Sequence, residues 1–185
     1  MKKLLDNHSI IGVISGYKST LKLQGTVNDL SIANINEKLM LVGLDESIKN
    51  KNITLLSISE LWKVELLSKL DEDIIIIGNM YNSLIHKERE NIKRLLINLS
   101  VENNKKIILI DNRIESFINL VEKIVVINNK NIVFETEDVF DNKLYEYASM
   151  PCIIDFIKYA NRDEKRIVET TDIYELIKDI YRRCS

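Results

Sequence analysis

Asp71-Glu72-Asp73-Ile74-Ile75-Ile76-Ile77-Gly78-Asn79 is the stretch on which the fold turns. An acidic step leads into four consecutive β-branched residues, and a glycine closes the run. A strand without polar alternation has apolar surroundings on both faces, as a central parallel strand does. Similar short runs occur at Ile10 to Ile14, Ile107 to Ile110 and Ile124 to Ile127, and more weakly at Ile132 to Phe134. Asn128-Asn129-Lys130-Asn131, between the last two, reads as a tight hairpin turn.

Helical stripes alternate with these runs. Ile92, Leu95, Leu96 and Leu99 recur at i, i+3, i+4 and i+7, and Ile114, Phe117, Ile118 and Val121 repeat the spacing. Leu61, Val64, Leu67 and Leu70 form a further stripe, from which Trp62 and Leu66 lie off. Strands alternating with helices predict an α/β domain with a mainly parallel sheet flanked by helices. After Pro151 the pattern is purely helical. It predicts one helix over Cys152 to Ala160 and a second opened by the capping box Asp172-Ile173-Tyr174-Glu175. The boundary falls near Ala148 to Met150, giving an α/β domain over 1–148 and a helical extension over 149–185.

Composition narrows the function. The chain has 185 residues, 45% of them hydrophobic, so a real core is expected. A net charge of −2 argues against a nucleic-acid footprint. Cys152 and Cys184 form neither a disulfide framework nor a metal spacing, and His8 and His86 are isolated, so no metal site is expected. No run approaches the roughly 20 apolar residues of a membrane span. Met1-Lys2-Lys3-Leu4-Leu5 lacks the apolar core of a signal peptide. A cytoplasmic location is expected, peripheral on the inner face of the membrane where partners hold it there.

Gly12-Val13-Ile14-Ser15-Gly16-Tyr17-Lys18-Ser19-Thr20 invites a phosphate-binding reading, with Lys18 and Ser19 as ligands. Such a loop needs glycine immediately before the lysine, so that backbone N–H groups can wrap a phosphate. Tyr17 stands there instead. The loop must also feed a helix, and only Thr20 to Gln24 precede Gly25. A strand followed by an ordinary loop is the expectation.

From Leu55 to Phe140 the chain resembles the second half of an ABC transporter ATPase, most closely the ATPase subunits of energy-coupling-factor (cobalt and vitamin) transporters. Leu56-Ser57-Ile58-Ser59-Glu60 stands at the LSGGQ signature, Ile74 to Ile77 at the Walker B strand and Gly78-Asn79 at its Asp-Glu pair. Ser83-Leu84-Ile85 stands at the D-loop, Asn112 at the switch histidine, and Glu137-Asp138-Val139-Phe140 at a helix after the closing hairpin. Ile11 to Val27 resembles the Q-loop strand, with Ser15-Gly16 for Phe-Gln, and Val42-Gly43-Leu44 the helix end before the signature. On this alignment the Walker A segment precedes the chain, and Lys18-Ser19-Thr20 is a coincidence.

The resemblance implies an ABC-ATPase-like fold, related to P-loop NTPases, that lacks the N-terminal part. It also implies lost catalysis. Gly78 offers no Mg²⁺ ligand, Asn79 cannot act as a carboxylate base, and Asn112 lacks imidazole chemistry. Ser57-x-x-Glu60 makes a helix cap in place of a signature, with Ser57 and Ser59 as its only remnants able to meet nucleotide. No cofactor is expected; ATP and Mg²⁺ enter only if the Lys18 loop binds them. The implied partners are an intact ABC ATPase subunit, a membrane permease subunit or a second copy of this chain. Gly16, with Trp62 and Leu66 if exposed, is the candidate contact surface. A functioning ATPase and a remnant without a selected role are the alternatives.

Overall fold

The computed structural model describes residues 8–21, 24–162 and 167–184. Met1 to Leu5, Lys22, Leu23 and the side chain of Cys184, on which some of the expectations above fall, lie outside the described set. Five strands, β1 (Ile10–Ile14), β2 (Ile74–Gly78), β3 (Lys106–Asp111), β4 (Lys123–Asn128) and β5 (Asn131–Thr136), form one sheet in the order β2-β3-β1-β4-β5. The first four pair in parallel, and β5 returns antiparallel to β4. Its hairpin turns through Asn129 and Lys130, both at positive φ, as a two-residue turn matched to strand twist requires. Every residue of β1 is buried, as the run of apolar residues predicts for a strand covered on both faces.

The helices are α1 (Ile35–Leu41), α2 (Ile58–Lys69), the single turn α3 (Met80–Ser83), α4 (His86–Val101), α5 (Cys152–Ala160) and α6 (Ile173–Cys184). Val42-Gly43-Leu44 closes α1. The Leu44 amide donates to Leu39 O and the Gly43 amide to Met40 O, with Gly43 in the left-handed region. The stripe on α4 buries Ile92, Leu96 and Leu99. Asp172 caps α6 by accepting from the Tyr174 and Glu175 amides. The main core lies between one sheet face and the helices. It joins Ile75, Ile77, Ile107 and Leu109 to Val64, Leu67, Leu96 and Phe117. Gly12 faces this core, where an added Cβ would press into the Phe117 ring.

Three expectations fail. The stripe from Ile114 to Val121 is a 3-10 turn, Ile114–Ser116, followed by further turns, with Asn119 at φ 57°. The left-handed residue stops helical propagation although Ile114 and Phe117 are buried as the stripe predicts. Glu137 to Phe140 is not helical either. Asp138 accepts from the Phe140 amide in a turn, and a 3-10 segment begins only at Asn142. Trp62 and Leu66 are buried, 4% and 0% exposed, so neither offers the contact surface proposed for it.

Candidate functional site

Ligands of parallel α/β sheets sit outside the carboxyl ends of the strands, where connections diverge. Here β1 is the central strand and connects to β2 at the sheet edge, while β3 connects across it to β4. The loops that leave β1, β2 and β3 carry Ser15 to Thr20, Gly78-Asn79 and Asn112. The structure brings these together. The Ser15 amide donates to Asp111 O (3.4 Å), the Asn79 amide to Ile110 O (3.0 Å), and Asn79 Nδ2 reaches Tyr17 O at 3.5 Å. The Lys18-Ser19-Thr20 segment therefore leaves the carboxyl end of the central strand next to Gly78-Asn79.

Tyr17 fills that position. Its side chain packs on Gly78, and a Cβ added at Gly78 would overlap both Tyr17 Cγ and the Ile110 carbonyl oxygen. The Tyr17 hydroxyl donates to Glu65 Oε1 (2.6 Å), and Lys69 Nζ donates to the Tyr17 oxygen (2.9 Å), to Glu65 (3.0 Å) and to Ile76 O (2.6 Å). The Thr20 amide also donates to Glu65 (3.1 Å), so one buried carboxylate on α2 holds both ends of the segment 17–20. Burial pushes the Glu65 carboxyl up, but the hydrogen bonds from Tyr17 and Lys69 outweigh it and hold the group below its ordinary value. Burial, with the same Glu65 contact, raises the Tyr17 phenol well above its usual range. Among the described residues the next element is the 3-10 turn Val27–Leu30, so no described helix starts directly from the segment 17–20.

The same helix closes the sheet edge. The Trp62 indole donates to Gly78 O (2.6 Å), while Lys69 holds Ile76 O two residues earlier on the outer side of β2. Two side-chain donors seven residues apart on α2 thus serve carbonyls that a neighbouring strand would otherwise take. This requirement buries Trp62, which periodicity placed outside the stripe. Trp62 is the one tryptophan of the chain, so native fluorescence should be blue-shifted and move to the red on unfolding. Trp62→Phe keeps most of the packing but leaves Gly78 O without its donor; a loss of about 1–3 kcal/mol is expected in urea melts.

Ser57 and Ser59 serve structure. The Glu60 amide donates to Ser57 Oγ (3.2 Å) and the Ser57 amide to Glu60 Oε2 (2.7 Å), the capping box that the sequence predicts. Lys51 joins Glu60 at 3.0 Å. Hydrogen bonding from the Ser57 amide, then from Lys51, holds the Glu60 carboxyl below its ordinary value. Ser59 Oγ donates to Glu88 (3.0 Å), which also pairs with Lys63 (2.6 Å). Asp111 was not singled out in the sequence, yet its buried carboxylate accepts from Ser116 Oγ (2.7 Å) and the Tyr81 and Asn112 amides. Gly16, Lys18, Ser19 and Asn112 are exposed, and Lys18 has no ion pair among the described residues. No cluster of three or more metal-ligating side chains occurs among the described residues, and no described helix is long and apolar enough to cross a membrane.

No family model matches the sequence, and no curated protein matches it. Solved structures do. The dimeric, post-hydrolysis state of the ATP-binding cassette MJ0796 bound to ADP and Pi is similar at TM-score 0.57 and 19% identity, covering 69% of this chain and 62% of that one. CbiO1 from Clostridium perfringens, part of the ABC transporter complex cbiONQ, is similar at TM-score 0.51 and 16% identity, covering 81% and 67%. The fold is thus that of ABC transporter ATPase cassettes, and the chain spans less than two thirds of the MJ0796 cassette.

Proposed function

We propose that this chain is a catalytically degenerate homologue of an ABC-type nucleotide-binding subunit. It acts as a non-hydrolysing structural or regulatory partner of a membrane transporter ATPase complex. The observation that carries this reading is the Tyr17 ring packed on Gly78 and tied to Glu65 and Lys69. A group that should meet Mg²⁺ is replaced by a residue with no side chain, and the space over it is occupied by the protein itself. Asn79 and Asn112 supply neither the carboxylate nor the imidazole that phosphoanhydride hydrolysis would use. Ser57 and Ser59 are engaged within the fold and are poorly placed to serve a nucleotide held by another subunit.

The partners that fit are an intact cassette subunit and a membrane permease subunit; CbiO1, which this chain is similar to in fold, is part of an ABC transporter complex. Such a role places the chain on the cytoplasmic face of the membrane. Affinity capture of the full chain from its native cells tests it. A stoichiometric complex with an intact ATPase or a permease is expected. A chain recovered free of both contradicts the proposal.

One observation favours a second reading, weak nucleotide binding. Lys18 is exposed, unpaired among the described residues, and lies at the carboxyl edge of the central strand. Binding that depends on Lys18 would mark this reading.

A further inference from the structure

We draw no further inference here: the strongest candidate, the surface patch on α6 where Ile173, Tyr174 and Ile177 are exposed, carries nothing because nothing in the structure shows what covers it.

Discussion

Gly78→Asp, the change that the resemblance to a Walker B pattern suggests, is expected to destabilise the protein strongly rather than to give hydrolysis. The expected loss is about 3 kcal/mol or more, at the upper end of overpacking costs because a charge is buried as well. For a chain of this size that corresponds to a drop in Tm of roughly 6–12 °C. The cause is local. A Cβ at Gly78 would overlap the Ile110 carbonyl oxygen and the Tyr17 ring and lie 2.7 Å from Tyr17 Cβ. The backbone there is also held by the Trp62 indole at 2.6 Å. Calorimetry of the variant checks the stability, and a phosphate-release assay checks the chemistry. A folded, hydrolysing Gly78→Asp protein would contradict the reading of this site.

Glu65→Ala should cost about 3–5 kcal/mol, because it leaves Lys69 buried without its carboxylate and frees both Tyr17 and Thr20. Glu65→Gln keeps an acceptor and should cost less. The two variants separate charge from hydrogen bonding. The pH dependence follows from the direction of the shift. The folded carboxyl titrates below its ordinary value, so its contribution is complete above the unfolded-chain pKa of about 4.3. That contribution is lost as pH falls from there through the lower folded value. Urea melts between pH 7 and pH 2.5 should therefore show an acid limb in the parent protein that is shallower in Glu65→Gln. Equal acid limbs would show that the Glu65 network does not set acid stability.

The regular parts of the fold were legible because local pattern and burial agree. Ile74 to Ile77, Ile107 to Ile110 and Ile124 to Ile127 are strands, and Ser57 with Glu60 is the cap that their spacing predicts. Between Ile114 and Val121 the apolar spacing correctly reports burial of Ile114 and Phe117, yet burial does not require a helix. Trp62 and Leu66 were misplaced for a related reason. A stripe locates the side of a helix that faces one layer, but α2 packs on its neighbours around much of its circumference and also closes a sheet edge with Trp62 and Lys69. The meeting of Tyr17 with Gly78, Glu65 and Lys69 spans 48 to 61 positions of sequence, and no periodicity carries information at that range. The one local signal was Tyr17 itself, a bulky residue where a phosphate loop needs glycine. The charged pair Glu65 and Lys69, four apart on a helix, reads as a solvated surface pair until the fold buries it.

On the proposed reading, the carboxyl edge of this sheet is occupied by its own Tyr17 and neither binds nor splits nucleotide. The most direct measurement is an equilibrium titration of the full chain with a fluorescent ATP analogue and Mg²⁺, alongside Lys18→Ala. No saturable binding is expected to about 1 mM, a binding free energy weaker than roughly −4 kcal/mol, with the variant indistinguishable from the parent. Saturable binding that Lys18→Ala abolishes would contradict the claim and make the segment after β1 a working, diverged phosphate loop.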